Sequence, residues 1–118
     1  MTDFPVTVFH NPDCSKSRAT VDLIQARGIE PEIILYREVG WTEKRLRGLL
    51  ERLGEPARAI LRTGEAEAAL LGTNASDDVV IAAMVAHPIL VERPIVESPL
   101  GVVVARPVER VFEVLPAL

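Results

Sequence analysis

The chain predicts an α/β domain built on a four-stranded mixed sheet, and three observations carry that expectation. Apolar residues make up 48% of its 118 positions and are chiefly Val, Ile, Leu and Ala, with aromatics only 4%; this composition suits alternating strands and helices. Two apolar runs near the N-terminus are separated by one helix-length segment, enough for a right-handed parallel crossover. Two further runs near the C-terminus are joined by Pro99-Leu100-Gly101, the mark of an antiparallel hairpin.

Pro5 leads into a short strand, Val6-Thr7-Val8-Phe9, closed by the turn residues Asn11-Pro12-Asp13. A helical pattern starts at Ser15, with Ala19, Val21, Leu23, Ile24 and Ala26 apolar, and Gly28 stands where a helix-ending glycine belongs. Glu32 to Tyr36 reads as the second strand, around Ile33-Ile34-Leu35. Thr42 is an N-cap for a helix whose Leu46, Leu49, Leu50 and Leu53 share one face before Gly54. Pro56 suits the first position of a short helix from Ala57 to Leu61, and Glu65 to Leu71 adds a turn or two. Ser76, followed by Asp77 and Asp78, opens a helix over Val79 to Ala86 that stops before His87-Pro88. Arg93 to Val96 and Val102 to Ala105 are the hairpin strands. Pro107 opens a last helix with Val108, Val111, Phe112 and Leu115 inward.

This order, βαβ, helical block, hairpin and helix, is the thioredoxin-like arrangement. It predicts a single domain over 1–118 with a helical insertion at about 42–87. Arg93-Pro94 then falls where that fold carries a cis-proline facing a reactive cysteine. The cis form of such a bond costs only about 0.5–1 kcal/mol.

A net charge of −4 leaves no general basic surface to release counterions, so nucleic acid is not the expected partner. Small anions stay open, because the thirteen cations are all arginine except Lys16 and Lys44, and converging guanidiniums favour bidentate recognition. The single cysteine forbids an internal disulfide. Met1-Thr2-Asp3-Phe4-Pro5 lacks the basic and apolar regions of a signal peptide, and no window approaches a membrane span. A soluble protein of the reducing cytoplasm is expected.

Cys14 lies in His10-Asn11-Pro12-Asp13-Cys14-Ser15-Lys16-Ser17-Arg18, where strand gives way to helix. The positive end of the helix dipole favours its thiolate, which is the nucleophilic form. Ser17, one turn on, offers either a hydroxyl for that thiolate or ordinary helix-start chemistry, while Lys16 and Arg18 add positive charge. His10 acts either as a cation that lowers the thiol pKa or as a neutral ring that fixes the loop. Acidic Asp13 opposes a low thiol pKa if it faces the sulfur, and otherwise caps the helix. A cysteine and two distant histidines make no metal-ligand set, so no metal is expected. Arg62, Arg93 and Arg106 each stand beside a change of chain direction, with Arg93 and Arg106 before prolines near opposite ends of the hairpin pair. Taken singly each suits a surface ion pair; together around a thiolate they would bind a tetrahedral oxyanion. On this reading Arg93→Ala weakens anion binding and leaves Cys14 alkylation by a neutral reagent largely intact.

With these residues the chain resembles the glutaredoxin-coupled arsenate reductase family, which shares its fold with the Spx-type regulators. The resemblance runs through the Cys14 loop, Arg58-Ala59-Ile60-Leu61-Arg62 and His87-Pro88-Ile89-Leu90-Val91-Glu92-Arg93-Pro94-Ile95-Val96. It continues through Pro99-Leu100-Gly101, Arg106-Pro107 and Val114-Leu115-Pro116. It implies that Cys14 attacks arsenate and expels water to give a covalent adduct. Glutathione, a co-substrate rather than a bound cofactor, then reduces that adduct, and glutaredoxin resolves the mixed disulfide. The resemblance further implies that Arg62, Arg93 and Arg106 hold the oxyanion and that His10 and Ser17 support a low thiol pKa.

Two alternatives share the same resemblance. An Spx-type regulator of RNA polymerase uses a Cys-x-x-Cys switch, which Ser17 at its second position rules out, and gives the arginines no task. A thiol oxidoreductase that handles glutathione without arsenate needs only Cys14. A cysteine phosphatase needs an arginine six positions after the cysteine, where Thr20 stands.

Overall fold

The computed structural model describes residues 4–72 and 74–116; Met1, Thr2 and Asp3 of the leader reading lie outside them. The chain divides into two compact units, one formed by Met1–Tyr36 with Arg93–Leu118 and the other by Arg37–Glu92. The helical insertion expected at about 42–87 falls inside the second.

The first unit holds a four-stranded mixed sheet of β1 (Thr7–Phe9), β2 (Glu32–Ile34), β3 (Ile95–Ser98) and β4 (Gly101–Val104), in the order β2-β1-β3-β4. β1 runs parallel to β2 and antiparallel to β3, and β3 is antiparallel to β4. The parallel crossover is α1 (Ser15–Ala26). Its last turn ends at Gly28, whose φ of +79° suits a residue without Cβ and whose N–H closes on the Gln25 carbonyl at 2.9 Å. Strand alternation puts Val6, Val8, Val96, Val103 and Ala105 in one buried cluster with Ile24 of α1 and with Val111, Val114 and Leu115.

Three expectations change here. Tyr36 ends no strand; it begins a short helix, α2 (Tyr36–Val39). The last helix is a 3-10 segment, Val108–Val114. Phe112 is partly exposed rather than inward, because the Arg27 guanidinium stacks on its ring at 4.6 Å and also donates to the Pro116 carbonyl.

In the second unit, α3 (Glu43–Leu53) starts where Thr42 Oγ1 accepts the Arg45 N–H and ends at Gly54, φ +71°. A single helical turn, α4 (Ala66–Ala69), precedes α5 (Asp77–Ala86), which is capped by Ser76 Oγ accepting from the Val79 N–H. α3 packs on α5, and Leu46, Leu49 and Leu50 of one and Val80, Ile81 and Met84 of the other are all buried. The segments Ala57–Ile60 and Pro88–Leu90 are 3-10 turns, joined by the antiparallel bridge Leu61↔Val91.

Candidate active site at the Cys14 loop

β1 delivers the chain to His10, whose N–H donates to the Ile34 carbonyl of β2 at 2.8 Å. The next four residues turn tightly into α1. The Cys14 N–H donates to the Asn11 carbonyl at 3.0 Å, and the Asp13 N–H donates to Asn11 Oδ1 at 3.0 Å. Arg18 Nη1 straps the turn from outside by donating to the Pro12 carbonyl at 2.6 Å.

Cys14 is itself the N-cap of α1, with extended φ −102° and ψ 122°, and it is half-buried. Asp13, one residue before the N-cap position, is exposed. Burial pushes the thiol up, and the backbone N–H groups of Ser17 and Lys16 pull it down. A hydrogen bond and the charge from the Arg93 guanidinium add to them, and the thiol lies below its ordinary value.

Ser17 is fully buried. Its Oγ accepts the Asn11 N–H at 3.1 Å and lies 2.7 Å from His10 Nδ1. Burial, then the Arg18 charge, lowers the His10 pKa, so the ring is neutral near pH 7. A neutral ring with its proton on Nε2 accepts the Ser17 hydroxyl at Nδ1, and this assignment satisfies both side chains. Of the two roles open to His10, this arrangement fits the neutral one. Ser17 turns its hydroxyl to His10, while its backbone N–H draws the Cys14 thiol down.

Arg93 and Arg106 were expected near opposite ends of the hairpin pair. The register Ile95↔Val104 places both just beyond its open end. Arg106, an exposed residue, donates from Nη1 to the Arg93 carbonyl at 3.2 Å. The Arg93–Pro94 and Arg106–Pro107 peptides are both cis, the second unforeseen. Arg93 reaches the sulfur, yet its Nε and Nη1 are buried and have no hydrogen-bond partner among the described residues. A guanidinium in that state calls for an anion.

Arg62 belongs to the second unit. Its N–H donates to the Leu90 carbonyl at 2.7 Å, and its guanidinium pairs with Glu65 at 2.8 Å and more loosely with Glu92 at 3.8 Å. The structure thus gathers Cys14, His10, Ser17, Arg93 and Arg106 within one unit. Among the described residues, no group of three or more His, Cys, Asp or Glu side chains is arranged to hold a metal.

A family model described as the ArsC family matches residues 9–114. The chain belongs to the ArsC family. Similar members include a Synechocystis protein named arsenate reductase ArsI1, 42% identical over 98% of this chain and 82% of its own length. An Escherichia coli K12 arsenate reductase is 42% identical over 94% of this chain and 81% of its own. A solved structure described as an arsenate reductase from Vibrio cholerae superposes with a TM-score of 0.90 at 40% identity, covering 97% of this chain and all of that one. ArsC neighbours share the thioredoxin-like arrangement of sheet and helices found here. Sequence reasoning missed Asn11, which it used only as a turn marker; the signal was its place before Pro12, where a side chain must supply the turn's acceptor.

Proposed function

We propose that this ArsC-family chain is a glutathione- and glutaredoxin-dependent arsenate reductase with Cys14 as nucleophile. The Cys14 sulfur attacks arsenic(V), an S–As bond forms, and one arsenate oxygen leaves as water after protonation. A glutathione thiolate then attacks the Cys14 sulfur. The S–As bond breaks, its electron pair passes to arsenic, and arsenite leaves. The two electrons come from the two sulfurs, which end as a mixed disulfide. A glutaredoxin thiolate attacks the glutathione sulfur of that disulfide and returns Cys14 as thiolate.

One observation carries the reading: Cys14 stands at the N-terminus of α1, where the Ser17 and Lys16 N–H groups and the Arg93 guanidinium draw its thiol down, and two buried Arg93 nitrogens have no hydrogen-bond partner among the described residues. Those donors suit a developing oxyanion next to the attacking atom. Arg106 would be the second oxyanion ligand. Arg62 is carried over as the third on the family resemblance, and Arg62→Ala is expected to raise the arsenate KM. His10 and Ser17 would support the thiolate through the loop rather than through a positive charge. Arsenate reduction by glutathione belongs in a reducing compartment, and the cytoplasm is the one proposed; no helix of the described residues is long and apolar enough to cross a membrane.

The test is turnover. Purified protein with arsenate, glutathione and glutaredoxin should form arsenite, and Cys14→Ser should form none. Wild-type turnover no higher than that of Cys14→Ser would sink the proposal.

A further inference from the structure

The Cys14 loop has an organiser that is neither the nucleophile nor an anion ligand. Asn11 is 5% exposed, and it makes three hydrogen bonds within six residues. Its N–H holds Ser17 Oγ at 3.1 Å, its carbonyl holds the Cys14 N–H at 3.0 Å, and its Oδ1 holds the Asp13 N–H at 3.0 Å. Two of these are main-chain bonds that any residue makes in this conformation. The third belongs to the side chain and keeps the conformation. Pro12 between the partners has no N–H and leaves residue 11 out of helical geometry, so an Asx turn from Oδ1 to residue 13 is the local means of reversing the chain.

We propose that Asn11 is the positioning residue of the nucleophile loop, its Oδ1 fixing the turn that places Cys14 at the N-terminus of α1. The geometry explains why a short polar side chain is buried here. The Cys14 side chain makes no capping hydrogen bond to the helix, and its backbone is tied to the turn by the bond from its N–H to the Asn11 carbonyl. Loosening that turn would swing the sulfur away from donors that lie only two and three residues ahead. Alanine removes the acceptor. Glutamine keeps an amide but carries it one methylene too far. Serine keeps an acceptor that makes the same turn more weakly.

The inference rests on the reading of Cys14 as nucleophile, but its test needs no arsenate. The Cys14 thiolate is titrated by its ultraviolet absorbance and by iodoacetamide alkylation across pH, alongside thermal unfolding. Asn11→Ala and Asn11→Gln should move the titration upward by about one unit. Below both midpoints this slows alkylation about tenfold, because the thiolate fraction falls tenfold per unit. Asn11→Ser should move it less. Ser98→Ala, which removes a buried hydroxyl from β3 bonded to the Val114 carbonyl, should lower the melting temperature and leave the titration in place. An unmoved titration in both the alanine and glutamine variants, or an equal move in Ser98→Ala, would overturn the proposal. If the alanine variant does not fold, the glutamine variant alone decides. Absence of arsenate turnover in the wild type bears on the reductase reading and leaves this result standing.

Discussion

Arg106 Nη1 donates to the main-chain carbonyl of Arg93 at 3.2 Å, so one arginine at the open end of the hairpin holds the backbone of the other. The two are therefore expected to fail differently. The Arg93 guanidinium helps hold the Cys14 thiol below its ordinary value, so Arg93→Ala should raise the thiol pKa and slow alkylation at neutral pH while sparing it at high pH. This differs from the expectation, drawn from sequence, that alkylation by a neutral reagent would stay largely intact in Arg93→Ala. Arg106→Ala removes an exposed side chain, so the fold should survive it with the thiol titration nearly unchanged. Its arsenate KM should rise several-fold. Alkylation profiles and steady-state kinetics on the same two variants check the contrast. Equal displacement of both titrations would contradict it.

Stability should follow the ionisation of Cys14. Although burial opposes it, the net effect of the Ser17, Lys16 and Arg93 donors is a folded-state thiol pKa below the ordinary value. Between the folded and unfolded values the unfolded chain holds one more proton, so stability rises with pH. The contribution is complete above the unfolded thiol's value and is lost as pH falls through the folded one. The melting temperature of the wild type relative to Cys14→Ser should therefore grow as pH rises from neutrality toward 9. A difference that is flat with pH would mean that the fold does not prefer the thiolate.

Most of the fold was legible because its signals are local. Thr42 and Gly54 bound α3 and Ser76 opens α5 through cap chemistry. Tyr36 was misread because three β-formers precede it, and a strand of three residues ends on tertiary pairing rather than on propensity. Phe112 was misread for a similar reason: periodicity marks it apolar, and only the distant Arg27 shows that a cation covers it. Within the site, Cys14 and Arg93 stood out by position. The proton arrangement of His10 and Ser17 did not, since it depends on burial and on Arg18, and neither is visible in spacing.

That arrangement predicts an acid limb. Burial first, and then the Arg18 charge, holds His10 below the ordinary imidazole value of 6.5. The unfolded chain therefore takes up the proton first, and stability contributed by the neutral ring is present above 6.5 and lost as pH falls through the folded value. Proton NMR should show His10 titrating below 6.5, and Arg18→Ala should move its midpoint upward. His10→Gln should flatten the loss of melting temperature on acidification from pH 7 to 5. A His10 midpoint above 6.5 would reverse the assigned donor and acceptor at Ser17.

The last prediction separates the two ends of Ser17. Its hydroxyl lies fully buried between the Asn11 N–H and His10 Nδ1, and Ser17→Ala leaves both without that partner. Unsatisfied buried groups of this kind cost about 1–3 kcal/mol, so the melting temperature should fall by several degrees. The backbone N–H that faces the Cys14 sulfur survives the substitution. The thiol titration should therefore shift less than in Arg93→Ala, where a donor and a charge are lost together. If Ser17→Ala instead moved the titration as far as Arg93→Ala while leaving the melting temperature alone, the hydroxyl would be acting on the sulfur directly, and the hydrogen bond assigned to His10 would have to be given up.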